Sequence, residues 1–117
     1  MAKSLMGKLM DKRDYELIEE MKGTDLELLE YEQLMPYVKT QPGKAFKVIL
    51  ADYVSAEDGT GIVHIAPAFG EDDYQACRKY DLDFVQPVDL EGKFTTTPWE
   101  GEFVFDTNEK IWRHLQE

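Results

Sequence analysis

Gly59-Thr60-Gly61-Ile62-Val63-His64-Ile65-Ala66-Pro67-Ala68-Phe69-Gly70-Glu71-Asp72-Asp73-Tyr74 is the stretch on which the fold of this chain turns. Gly59 and Gly61 flank Thr60, so the backbone can turn tightly without the steric penalty of a Cβ at positive φ. Ile62 to Ala66 is a short β-branched run, suited to a strand with both faces covered, and the imidazole of His64 interrupts it. Pro67 has no N–H and ends the ladder, while Ala68 and Gly70 are small enough for a second backbone or a ligand to approach. Glu71, Asp72 and Asp73 fall in the first turn of the next helix, where the macrodipole favours negative charge. The order predicts a strand, a loop and a helix start, with polar chemistry gathered at the strand end.

Upstream, Leu5, Met6, Leu9 and Met10 recur at helical spacing, with Lys3, Lys8 and Lys12 on the other side, which predicts a short amphipathic helix over 3–10. Tyr15 to Lys22 fits either period and is read as a strand closed by Gly23, after which Thr24 or Asp25 caps a brief turn. Pro36 holds Met35 away from helical geometry, so Tyr31 to Val38 reads as extended. Gln41-Pro42-Gly43-Lys44 is a turn, and Phe46 to Ala51 then becomes continuously apolar, as a strand entering a sheet interior does; Asp52-Tyr53-Val54 extends it. Downstream, the helix opened by Glu71 continues to about Tyr80. Asp83 to Asp89 is a short strand broken by Pro87, and Gly101 to Phe105 is another. A closing helix follows, with Asp106 and Glu109 as its capping box and Ile111, Trp112 and Leu115 as its docking face.

These elements predict one mixed α/β domain over residues 1–117, a small β-barrel-like mixed sheet with short flanking helices. The length of 117 residues leaves room for a modest core, and 43% hydrophobic content is enough to fill it. A formal net charge of -11 argues against strong nonspecific affinity for a polyanion. The single cysteine, Cys77, cannot form an internal disulfide, which suits a reducing, cytoplasmic compartment. No apolar run approaches the roughly 18 residues needed to span a membrane, and the N-terminus carries no signal-peptide core.

The Gly59–Tyr74 stretch resembles the signature loop of the editing domain inserted in isoleucyl-tRNA synthetases. There a Gly-Thr-Gly turn, a strand with a histidine, an Ala-Pro loop and an Asp-Asp-Tyr helix start follow in this order. Valyl enzymes tend to carry lysine, and leucyl enzymes methionine, where His64 stands. Tyr31-Glu32-Gln33-Leu34 is similar to the family's Tyr-Glu-Pro-Leu segment, with Gln33 in place of the usual proline. Thr95-Thr96-Thr97-Pro98-Trp99 looks like the family's threonine-rich peptide, but that peptide lies upstream of the Gly-Thr-Gly loop. Here the triplet lies downstream, where some members have a similar Thr-Pro-Trp-x-Gly-x-Phe-Val string. On this reading the chain is the C-terminal part of the editing domain, without the threonine-rich peptide.

The resemblance implies hydrolysis of the ester joining a wrong amino acid, chiefly valine, to tRNA for isoleucine. A methylene is worth only about 1 to 3 kcal/mol in a pocket, a generalisation for which isoleucyl enzymes are themselves the usual illustration. A second, smaller pocket must supply the rest. Carried over by position, Asp73 and His64 are the catalytic-site residues: Asp73 would hold the α-ammonium as a charge-assisted pair, and His64 would line the side-chain pocket and exclude isoleucine. Thr60 and Gly61 join them in substrate binding. The partners implied are the 3′ end of tRNA for isoleucine carrying a noncognate amino acid and the rest of the synthetase. No cofactor or metal is implied for this chain, ATP and magnesium belonging to the synthetic domain of the parent.

Each residue also has a structural explanation. Asp73 can be a helix-start carboxylate, His64 a satisfied core histidine, and Thr60 a cap for its own turn. Glu71 and Asp72 read as solvated, and Cys77 has no neighbouring base in sequence to make it a nucleophile. His64 and His114 are a weak case for a metal, and His114 reads as a surface residue of the last helix. Two other functions stay open: a freestanding trans-editing hydrolase, and a noncatalytic interaction module supported by the acidic surface.

Overall fold

The computed structural model describes residues 1–117, and its regular structure is helical. A 3-10 turn over Lys3–Leu5 runs into the short helix α1, Met6–Leu9, as the Leu/Met spacing predicts, and Leu5 is its buried residue. A second 3-10 turn, Gly23–Leu26, is closed by Asp25, whose carboxylate accepts the Lys22 N–H at 2.9 Å. Helix α2, Glu71–Lys79, starts on Gly70 and carries all three acidic residues in its first turn and Arg78 and Lys79 in its last, matching the macrodipole at both ends. Helix α3, Asn108–Gln116, follows a 3-10 turn over Val104–Thr107. Its capping box does not form: Thr107 is the N-cap and donates its hydroxyl backward to the Val104 carbonyl at 2.7 Å. Glu109 pairs instead with Arg113 one turn on, at 2.5 Å.

The expected β-barrel-like mixed sheet is absent. Pairing is limited to three isolated antiparallel bridges, Glu30 with Lys47, Val88 with Phe94, and Lys93 with Phe103. The first is flanked by hydrogen bonds from Leu28 N–H to the Val48 carbonyl and from Tyr31 N–H to the Phe46 carbonyl, at 2.8 and 2.9 Å. It cannot lengthen, because Leu28 and Phe46 both sit at positive φ, 64° and 57°, outside extended geometry. The other two bridges join 87–95 and 93–103 into a short meander around the Asp89–Gly92 turn. There Pro87 offers a carbonyl to Thr95 N–H but has no donor of its own. Residues 15–22 and 62–66, both expected as strands, take part in no β-bridge, and an unpaired segment has no ladder.

Apolar burial is correspondingly small. Only Leu5, Cys77 and Thr107 are buried, while Ile62, Val63, Leu34, Phe105 and Trp112 are among the large apolar side chains left exposed. The docking face expected on α3 is therefore open at Trp112 and Leu115. The accessible surface is 9480 Å², against about 6,500 Å² for a compact monomer of this mass. The radius of gyration is 16.7 Å, where about 13 Å is usual for this length. Apolar surface that a compact domain would cover internally is thus available to other surfaces.

Polar and aromatic ties replace the missing sheet. The Tyr80 hydroxyl, at the end of α2, donates to Glu27 at 2.7 Å and accepts the Leu50 N–H at 3.2 Å, joining three segments. His114 of α3 lies within 2.6 Å of the Tyr37 hydroxyl through Nε2, and Trp99 meets both rings edge-on at centroid distances of 5.7 and 5.9 Å. His114 is thus half-exposed yet engaged, a role its place near the end of a helix did not reveal.

Candidate functional site

Asp73 is the residue around which the site is built. It occupies the third position of α2, but its carboxylate makes no helix-capping bond. It turns out of the helix: Oδ2 accepts the Ala66 N–H at 3.1 Å and Oδ1 accepts the Tyr53 hydroxyl at 3.0 Å. A helix-start carboxylate acting only on the macrodipole needs neither bond. Gly70 leaves room for this geometry, since a Cβ there would stand 3.3 Å from Asp73 Cγ and Oδ2 and the carboxylate would have to shift by a few tenths of an ångström.

The electrostatics follow from this contact. Partial burial first, and then the hydrogen bond and charge of Asp73, push the Tyr53 phenol up to about 12. It remains a neutral donor throughout the physiological range. Burial, and secondarily the Asp73 charge, also push the Cys77 thiol up, so the buried cysteine on α2 stays protonated and unreactive.

The other predicted residues are placed differently. Thr60 uses its hydroxyl locally, donating to the Ile62 carbonyl at 2.9 Å and accepting the Ile62 N–H at 3.3 Å, so it caps its own turn. Gly61, at φ 76°, sits where a Cβ would come within 2.5 Å of the Ala2 Cβ. The adjacent Thr60 carbonyl accepts the Ala2 N–H at 2.7 Å, so the Gly-Thr-Gly turn seats the N-terminal segment. His64 is exposed on the 62–66 segment and makes no protein hydrogen bond, which removes the core-histidine explanation. It lies two residues before Ala66, the backbone partner of Asp73, and no hydrogen bond or ion pair joins His64 to Asp73.

Two open surface recesses, of about 260 and about 520 Å³, lie beside the Gln41–Gly43 turn and between Glu20 and Asp25; neither is lined by His64 or Asp73. No group of three or more His, Cys, Asp or Glu side chains is arranged to hold a metal ion, and no helix is long and apolar enough to cross a membrane. What the geometry offers chemically is an oriented, half-exposed anion on a helix start, beside an exposed imidazole-bearing segment. Tyr53 is the member that sequence reading misses: it was only the continuation of an apolar run, and nothing local links it to a carboxylate 20 residues on.

Comparison with known proteins gives a consistent family. The chain is 50% identical over 105 residues to an isoleucine–tRNA ligase of Picrophilus torridus, covering 89% of this chain and 10% of that protein. It is 45% identical over 119 residues to the isoleucine–tRNA ligase of Clostridium tetani, covering all of this chain and 11% of that one. The isoleucine–tRNA ligase of Corynebacterium efficiens is 50% identical over 105 residues, 88% of this chain. The chain therefore spans about a tenth of the length of the curated relatives it matches. No protein-family model matches it.

Proposed function

From the premise that this chain is a homologous segment of the isoleucine–tRNA ligase family, we propose that residues 1–117 are part of that enzyme's editing domain. In this reading the segment carries the amino-acid end of a pocket that hydrolyses valine wrongly esterified to tRNA for isoleucine. The observation that carries the reading is the Asp73 carboxylate, turned away from its helix and held at both oxygens by Ala66 N–H and Tyr53. An anion so oriented is suited to pair with the α-ammonium of an aminoacyl ester. His64, exposed close by in sequence, is assigned to the side-chain wall that admits valine and rejects isoleucine. Thr60 and Gly61 shape the turn that delivers this segment, with their binding role confined to backbone groups.

The segment by itself is proposed to be inactive or very weakly active. Neither Asp73 nor His64 is enclosed, where hydrolysis of an ester needs an enclosed, oriented nucleophile. The unburied apolar surface supports the same conclusion, because it suits a piece that is completed by other parts of the enzyme. The acidic balance of -11 implies that most tRNA contact is made elsewhere in the parent. ATP and magnesium are assigned to the parent's synthetic site, and the ester hydrolysis proposed for this segment does not pass through them.

An NMR titration of the chain with a nonhydrolysable valyl amide of an aminodeoxyadenosine, beside its isoleucyl counterpart, tests the reading. Shifts at the Ala66 and Asp73 amides and the His64 ring, stronger with the valyl compound, are expected. Equal response to both compounds would remove the assignment of His64 as the excluding wall.

A further inference from the structure

We propose that Tyr53 is the positioning residue of this site, its phenol fixing the Asp73 carboxylate for an α-ammonium ligand. The inference rests on the reading of Asp73 as the ammonium acceptor. A carboxylate at a helix start ordinarily rotates in solvent. Here Oδ1 and Oδ2 are held at 3.0 and 3.1 Å by donors from two different segments, a phenol and a backbone amide, so rotation about the Cβ–Cγ bond is stopped. An ionised carboxylate offers about four lone-pair directions, so two remain for the N–H groups of a ligand ammonium.

The chemical type of the donor matters. A lysine or arginine in place of Tyr53 would orient the carboxylate equally well but would cancel the charge the ligand needs. A neutral phenol orients the anion and leaves its charge available. Burial and the Asp73 charge keep that phenol protonated, with its ionisation pushed up to about 12. Gly70 completes the arrangement, since the carboxylate lies back across a position where any Cβ would stand 3.3 Å from it.

The test uses the full chain and two probes: the valyl amide of an aminodeoxyadenosine, and its 3-methylbutanoyl counterpart, which has the same side chain and no amine. Tyr53 is 43% exposed, so Tyr53→Phe keeps the ring and the fold while deleting the donor. Tyr53→Phe is expected to weaken the amine-bearing probe by about threefold to tenfold, the range for one lost hydrogen bond, and to leave the other probe unchanged. Asp73→Asn is expected to abolish the preference for the amine. Two results overturn the proposal and leave the reading of Asp73 standing: Tyr53→Phe binding the amine as the parent chain does, or losing both probes equally while Asp73→Asn loses only the amine. Full amine preference in Asp73→Asn, or no binding of the amine probe by the unaltered chain, removes the Asp73 reading and the role of Tyr53 with it.

Discussion

Replacing Asp73 with alanine removes the acceptor for two donors at once, the Ala66 N–H and the Tyr53 hydroxyl, and its effects can be worked out separately for each. A hydrogen bond to an ionised group contributes about 1.5 to 3 kcal/mol, and the partial exposure of this site argues for the lower end. About 1.5 kcal/mol at Ala66 corresponds to roughly a tenfold faster exchange of its amide hydrogen. Tyr53 should respond in its ionisation. Its folded value, about 12, lies above the ordinary 10.0, first through burial and then through the Asp73 hydrogen bond and charge, so the stability linked to the neutral phenol is fully present below pH 10 and is lost as pH rises toward 12. In Asp73→Ala that value should fall, but stop short of 10.0, because burial is the larger cause and survives the substitution. Amide exchange by NMR and phenolate absorbance during alkaline titration read the two effects independently. Unchanged Ala66 exchange together with an unchanged Tyr53 titration would refute the claim that this carboxylate is a bracket between segments.

Gly61→Ala should cost about 2 kcal/mol or more, from left-handed backbone strain and the displacement of Ala2, and should appear as loss of Ala2 amide protection. Because burial, and secondarily the Asp73 charge, raise its pKa, Cys77 should react with a thiol reagent at pH 8 more slowly than in the urea-unfolded chain, with reactivity returning as pH rises. His114→Ala removes the Tyr37 hydrogen bond and two ring contacts, about 1 to 2 kcal/mol together, and should loosen α3. Trp99 fluorescence in a Trp112→Phe background would report that release, and an unaltered spectrum would contradict it.

The helices were legible because their signals are local. The acidic first turn and basic last turn of α2 lie within nine residues, and the Leu/Met spacing of the first helix is contained in two turns. The strands were not, because a strand is a relation between segments: Ile62 to Ala66 has the composition of a strand and no neighbour to pair with. Positive φ at Phe46 is likewise invisible in an apolar run, yet it limits the Glu30–Lys47 pairing to one bridge. At the site, the family resemblance pointed to Asp73, and the structure gives that carboxylate a specific geometry. Tyr53 could not be found from sequence, since its importance arises only when the chain brings it to a residue 20 positions away. The Gly-Thr-Gly turn was recognised as tight, but its use, seating Ala2 against Gly61, depends on a contact across 59 residues of chain and has no local signature.

The most direct test of the central claim places this segment, with and without Asp73→Ala, in the corresponding position of the Clostridium tetani isoleucine–tRNA ligase, which matches it along its whole length. Deacylation of valine from tRNA for isoleucine is then measured beside isoleucine attachment. On the proposed reading, loss of this half-exposed charge partner for the ammonium predicts deacylation slowed by about tenfold or more, with isoleucine attachment unchanged. Equal deacylation with and without the Asp73 carboxylate would contradict the account.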